Sequence, residues 1–180
     1  MHLLLRSLFH IFRSWRRPAA SLWSKSSVPT RVWPGDMDVA FHLNNGMYFS
    51  LMDLGRIDLM MRGGAWQRML RRRWKPVVSA ETIAFRKSLQ LWQGYTVETR
   101  IIGTDERSFY FEQRMVAGGE IYAQATVCMR FVAKGGPVPM SEVLAEFGLP
   151  PQGLELPPWV HDWRVNNALP STRKAAPHLW

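Results

Sequence analysis

Cysteine is almost absent: Cys128 stands alone among 180 residues. That excludes an intrachain disulfide and a cysteine zinc cluster, and it fits a reducing compartment such as the cytosol. The five histidines, His2, His10, His42, His161 and His178, fall at no metal-ligand spacing, so neither a structural metal nor a cofactor is expected. There is no Gly-x-Ser-x-Gly elbow, which disfavours a serine esterase of the α/β-hydrolase type. A phosphate loop and a dinucleotide fingerprint are missing too, as are internal repeats and low-complexity tracts. Acid is missing from one whole region. Residues 1–35 contain Arg6, Arg13, Arg16, Arg17, Lys25 and Arg31 and no Asp or Glu, so this segment carries +6 of the formal +9. The other 145 residues hold 17 Lys and Arg against 14 Asp and Glu, or +3. Positive charge confined to one separable end, with no recognition motif, argues against a nucleic-acid partner.

What that end does have is amphipathicity. At about 100° per residue, Leu4, Leu5, Leu8, Phe9, Ile11, Phe12 and Trp15 share one half of a helical wheel. Arg6, Ser7, His10, Arg13, Ser14 and Arg17 share the other, with Leu3 and Arg16 out of place. Residues 1–17 therefore read as a basic amphipathic helix, the composition of a segment lying in a membrane interface. Arg6 and Arg13 break the apolar run far short of the roughly 20 residues a spanning helix needs. Two other readings share the pattern: a helix docking its apolar face on its own domain or on a partner subunit, and an organellar transit peptide. Localisation is read accordingly as cytoplasmic, with peripheral membrane contact through residues 1–17 and organellar targeting as alternatives. Residues 18–29, with Pro18, Pro29 and several serines, read as a linker.

With 47% hydrophobic residues the remainder is long enough for one domain with a core. A short β-prone run at Thr30–Trp33 ends at Pro34-Gly35. A polar loop, Asp36–Asn45, precedes a helix over Gly46–Arg62, with Asn44 as its expected N-cap. Apolar residues cover most of that helix's circumference, so it should be buried nearly all round. Four β-prone runs follow, at 77–87, 95–102, 108–117 and 120–133, separated by turn chemistry. The clearest turn is Gly118-Gly119, since primed hairpin turns need positive φ. A short helix is expected at Ser141–Phe147 and a Pro-rich irregular tail over 149–180. The economical arrangement is α+β, an antiparallel curved sheet wrapped around one long central helix over residues 30–148. The basic run Arg71–Lys75 suits either an anionic ligand or a solvated helix end.

Functional groups are densest in the loop. Asp36, Asp38, His42, Asn44 and Asn45 fall within ten residues, with Tyr48 one turn on. They stand just before a helix N-terminus, where outward-pointing amides stabilise developing negative charge. A carbonyl placed there would meet an oxyanion site including the N–H of Asn45 or Gly46, with Asp38 or His42 supplying the nucleophile or base. Such residues also gather in loops simply to make turns and caps, and Asp36, next to Gly35, reads as a turn residue.

The string Asp36-Met37-Asp38-Val39, with His42-Leu43-Asn44-Asn45 and Tyr48, resembles the signature of hotdog-fold thioesterases. It looks most like the thioesterase superfamily member six type and its bacterial acyl-CoA thioesterase-like relatives. The likeness runs over roughly residues 30–136, including Leu51-Met52-Asp53-Leu54-Gly55-Arg56, Ala84-Phe85-Arg86-Lys87-Ser88-Leu89 and Phe111-Glu112-Gln113-Arg114. The resemblance implies a hotdog fold and hydrolysis of a fatty or aromatic acyl thioester of coenzyme A or acyl-carrier protein. It implies Asp38 as base or nucleophile, His42, Asn44 and Asn45 as positioning groups, and Gly46, Tyr48 and Arg86 in substrate binding. It also implies a homodimer or a dimer of dimers. Plant acyl-carrier-protein thioesterases carry an Asn midway between the matching acid and His. Here that position is Ala40, which holds neither water nor carbonyl, so the resemblance rests on Asp38. The rival reading is a non-catalytic acyl-binding or membrane-associated hotdog scaffold.

Overall fold

The computed structural model describes residues 2–170 and 174–178. Residue 1 of the expected leader, and 171–173 and 179–180 of the expected tail, lie outside the described residues.

The runs rich in Val, Ile, Thr, Tyr and Phe become strands β2 (Lys75–Phe85), β3 (Gly94–Thr104), β4 (Phe109–Ala117) and β5 (Glu120–Ala133). Gly118 and Gly119 take φ of 57° and 78°. They close a two-residue hairpin in which Ala117 faces Glu120, as a primed turn requires. The first strand, β1 (Ser26–Arg31), begins inside the segment read as a linker. Pro29 sits in its middle, opposite Thr96. A proline without an N–H is tolerated there because β1 is an edge strand. All pairings are antiparallel, in the order β1-β3-β4-β5-β2, with β6 (Gly136–Pro137) added to β5.

The expected central helix is α2 (Met47–Arg62), lying against β1, β3 and β4. Gly55 permits the closest approach: a Cβ there would stand 2.8 Å from Val97 Cγ1 and overlap Thr99 Oγ1, so a larger residue overpacks the contact. Leu51, Met52, Leu54 and Leu59 are at most 1% exposed, each such side chain contributing about 1.5–3 kcal/mol of burial. Buried polar groups tie the helix to the sheet. Arg56 donates to Gln113 Oε1 at 2.5 Å, and Gln113 Nε2 donates to the Met52 carbonyl at 2.7 Å and Thr99 Oγ1 at 2.8 Å. After α2 come α3 (Ala65–Arg72) and α4 (Met140–Phe147). Arg71 and Arg72 at the end of α3 pair with Glu146 of α4, so these two residues of the basic run join two helices.

Two expectations are corrected. The tail is not irregular throughout: α5 (Pro158–Asn166) starts on a proline at its first position, where the missing N–H costs nothing. Val160 is fully buried in a small cluster with Ile102, Tyr110 and Cys128, and Arg164 pairs with Asp105 at 2.6 Å. The second correction concerns the N-terminal helix, α1 (His2–Trp15). It docks on the domain by its polar face, the reverse of the self-docking reading. His10 and Ser14 are buried, while Leu4, Leu5, Leu8, Phe9, Phe12 and Trp15 are between 49% and 72% exposed. Three carboxylate contacts hold it: Arg6 to Asp36 at 2.7 Å, Ser14 Oγ to Asp58 at 2.7 Å and Arg17 to Asp58 at 2.9 Å.

Candidate active site

The loop before α2 is a small hairpin hung on one apolar plug. Pro34–Asp36 form a 3-10 turn, Met37 then bridges Leu43, and His42 bridges Gln90. Leu43 is 1% exposed and its N–H donates to the Leu89 carbonyl at 3.0 Å. Val39 and Phe41 at the tip are 99% and 79% exposed, and Phe41 takes a left-handed φ of 58°.

Asp38 stands at the base of this hairpin, half-buried. Its Oδ1 accepts the N–H groups of Ala40 at 2.9 Å and His42 at 3.3 Å. Among the described residues Oδ2 takes no hydrogen bond. One carboxylate oxygen is thus fixed by the backbone and the other is available. Asp38, with Pro34, Met37, Phe41, Asn44 and Leu91, lines an open cleft of about 680 Å³, on the scale of a small-molecule site. The His42 side chain is exposed and held by no hydrogen bond among the described residues.

The helix start departs from expectation in one respect. Asn44 does not cap α2; the N-cap is Gly46 and no side chain caps it. Asn44 Oδ1 instead takes the Gly46 N–H at 2.8 Å, and the Asn44 carbonyl takes the Met47 N–H at 2.8 Å. A short polar side chain two residues upstream closes an Asx turn more readily than it reaches the first helical turn. The Gly46 N–H is therefore already spent. No acceptor among the described residues takes the Asn45 N–H, which stands at the positive end of the α2 dipole.

Tyr48 is buried beneath the loop, its ring 4.9 Å from Phe85 in an edge-on contact. Burial pushes its phenol above the ordinary value, the Leu89 backbone opposes this, and the Asp38 charge adds to it. Tyr48 accordingly stays neutral and packs under the cleft. Arg86 is not gathered into this group. Its guanidinium goes to the Ile121 carbonyl at 3.3 Å and to Glu120 at 3.6 Å, at the β4–β5 hairpin. Among the described residues no group of three or more His, Cys, Asp and Glu is arranged to hold a metal ion.

Sequence reasoning missed the role of Asp36. It is no simple turn residue: it is fully buried, its Oδ2 accepting Arg6 at 2.7 Å and the Trp33 N–H at 2.9 Å, and its carbonyl takes the Asn44 N–H at 2.9 Å. Asp36 thus links α1 to the loop that carries Asp38. Asp58 was missed as well, because it lies in a helix read only for its apolar surface. It is 1% exposed and gathers Ser14, Ser26, Arg17 and Arg62. The signal for both was the acid-free leader, whose arginines need carboxylate partners elsewhere in the chain.

Residues 32–148 match the model of the thioesterase-like superfamily. The chain is 33% identical over 144 residues to protein THEM6 of Danio rerio, covering 79% of this chain and 71% of that protein. It is 35% identical over 99 residues to protein THEM6 of Xenopus laevis, covering 55% of this chain and 48%, or about half, of that one. Among solved structures, the fold is similar to that of Slr0204, a 1,4-dihydroxy-2-naphthoyl-CoA thioesterase from Synechocystis. The TM-score is 0.59 at 13% identity, over 70% of this chain and 98% of that one.

Proposed function

We propose that this chain, which belongs to the thioesterase-like superfamily, hydrolyses an acyl thioester at the start of α2, with coenzyme A as the thiol. The observation that carries this reading is the Asp38 carboxylate, tied through Oδ1 and open through Oδ2 among the described residues, in a cleft that Asn44 also lines, with no acceptor among those residues on the next amide, Asn45 N–H. The thioester carbonyl oxygen lies against the Asn45 N–H. Asp38 Oδ2 takes a proton from the attacking water as that oxygen bonds to the carbonyl carbon. The tetrahedral oxyanion is held by the amide and the helix dipole, the C–S bond breaks, and the leaving thiolate takes the proton that Asp38 had accepted, which restores the carboxylate. Direct attack by Oδ2 gives an acyl anhydride that water then opens, and it uses the same two groups. The backbone of His42 and the side chain of Asn44 position the loop around them. Coenzyme A as carrier is supported by the fold's likeness to the Synechocystis protein, a 1,4-dihydroxy-2-naphthoyl-CoA thioesterase. The test is release of free thiol from a panel of aromatic and fatty acyl-CoAs, with acyl-carrier-protein thioesters alongside. Release from acyl-CoA supports the assignment, and release only from the carrier protein would replace the thiol.

The active form in this proposal is a homodimer. Strand β2 is an edge strand of 11 residues, with Val77, Val78 and Phe85 between 37% and 47% exposed. A long edge with apolar side chains calls for a covering partner. Sedimentation equilibrium is expected to return twice the 20.8 kDa chain mass; a monomer at every concentration would contradict it.

A further inference from the structure

An amphipathic helix on a protein surface ordinarily buries its apolar stripe. Helix α1 does the opposite. Its polar face is consumed by the domain, through Arg6 on Asp36, Thr30 and the Arg31 carbonyl, and through Ser14 and Arg17 on Asp58. Turning the helix over to bury its leucines would strip partners from two buried carboxylates, a strongly destabilising change. The stripe of Leu4, Leu5, Leu8, Phe9, Phe12 and Trp15 is thus held outward. A contiguous exposed apolar face of this kind marks an interaction surface. It extends onto the domain. Trp33, itself half-exposed, lines the same cavity as Leu5 and Phe9 and makes an edge contact with the half-exposed Trp92 at 5.7 Å.

We propose that this face of α1, with Trp33 and Trp92, is a docking surface for an anionic lipid bilayer. Charge decides between a bilayer and a second copy of the chain. Arg13, Arg16 and Arg31 are exposed around the face, Arg16 lying over the Phe12 ring at 4.5 Å, and residues 1–35 supply no acid. A self-complementary contact sets the same patch against itself, so arginine would meet arginine. Lipid phosphates instead meet those arginines while the leucines and aromatics enter the acyl boundary, Trp15 and the tryptophan pair sitting at headgroup depth. The helix lies in the membrane plane. Its 14 residues reach about 21 Å, short of the ~30 Å hydrocarbon core, and no helix among the described residues is long and apolar enough to cross a membrane.

The docked geometry has a consequence for the candidate site, which rests on the thioesterase reading. Between α1 and β1 lies a cavity of about 940 Å³ whose wall ends at Trp33, Pro34 and Gly35. Pro34 also lines the Asp38 cleft, so the two spaces adjoin. Docking through α1 sets the mouth of the cleft at the lipid surface, where long-chain thioesters partition.

The experiment is flotation of the full chain with vesicles of pure phosphatidylcholine and of equimolar phosphatidylcholine and phosphatidylglycerol. The expected result is at least about tenfold stronger binding to the anionic vesicles, weakened by salt. A loss of at least about tenfold is expected in the double variant Phe9→Glu/Phe12→Glu. These side chains are exposed, and a thermal melt confirms that the variant folds; Trp15→Ser provides a second, smaller perturbation of the same face. Equal partition into both vesicle types, or unchanged binding of the folded variants, would overturn the proposal. So would a sedimenting mass that falls in Phe9→Glu/Phe12→Glu while vesicles capture nothing, because a second copy would then cover the face. Flotation needs no turnover, so its failure is separable from failure of the hydrolase reading. Vesicle-stimulated hydrolysis of a long-chain acyl-CoA tests the consequence alone.

Discussion

Asp38→Asn is expected to lower kcat for acyl-CoA hydrolysis by about 100-fold or more, the usual contribution of a positioned base, while leaving the fold intact. The two halves of that expectation come from different oxygens. Oδ1 holds the hairpin by accepting the Ala40 and His42 N–H groups, and an Asn carbonyl oxygen in the same place accepts them too. Oδ2, which serves the substrate, becomes an NH2 group that neither takes a proton nor attacks carbon. Melting temperature should therefore stay close to that of the unaltered chain while turnover collapses. Asp38→Ala loses both functions and should be less stable as well as inactive. Turnover within a few-fold of the unaltered chain for a folded Asp38→Asn would remove Asp38 from the chemistry.

Asp58→Ala is expected to cost about 3 kcal/mol, because it leaves Arg17 and Arg62 charged beside an emptied, buried pocket. Denaturant titration reads that as a loss of about 150-fold in the folding equilibrium. Burial alone would push the Asp58 carboxyl up. Hydrogen bonds from Ser26 and Ser14 and the Arg17 and Arg62 guanidiniums outweigh it and hold the carboxyl below its ordinary value. A depressed acid adds stability above its unfolded pKa and loses it as pH falls through the folded one. His10 works in the same direction. Burial first, then the charges of Arg6 and Arg13, lower it to about 4 against the pull of Asp58. An imidazole held neutral opposes folding once the unfolded chain protonates, so its stability is intact above about pH 6.5 and erodes between there and pH 4. The docked state of α1 should thus weaken in two stages on acidification. Proteolysis of the leader followed against pH should show it, His10→Leu removing the upper stage and Asp58→Asn the lower. A leader equally protected from pH 7 to well below pH 4 would contradict this.

Much of the fold is legible in the residues because each element obeys its own local rule. Gly118-Gly119 announces a hairpin that only a primed turn satisfies, and the nearly all-apolar surface of α2 demands a sheet on one side and cover on the other. Together with the motif around Asp38 they lead to the hotdog fold found among the similar solved structures. Where the reading fell short, a tertiary fact had overridden a local one. Pro29 looks like a linker residue until its strand is known to be an edge. Pro157 and Pro158 look like irregular chain until Val160 is seen to bury. Asn44 has the chemistry of a cap but is two residues too early to serve as one. The amphipathicity of α1 was plain, yet its orientation was not, because that depends on Asp36 and Asp58, carboxylates 30 and 44 residues from their partners. For the site, the sequence placed Asp38 beside a helix start. Which of its oxygens is open, and which amide is unpaired, emerges only from the hydrogen bonds.

Counting turnovers shows whether this chain hydrolyses a thioester or merely binds one. The full chain is mixed with a large molar excess of an acyl-CoA, and free CoA and protein-bound acyl-CoA are measured in the same samples over time. Free CoA is expected to accumulate to many equivalents per chain, at a rate that Asp38→Asn lowers by about 100-fold or more. Saturable binding of about one acyl-CoA per chain, with no CoA released beyond the protein-free control, would contradict it and leave an acyl-binding scaffold in its place.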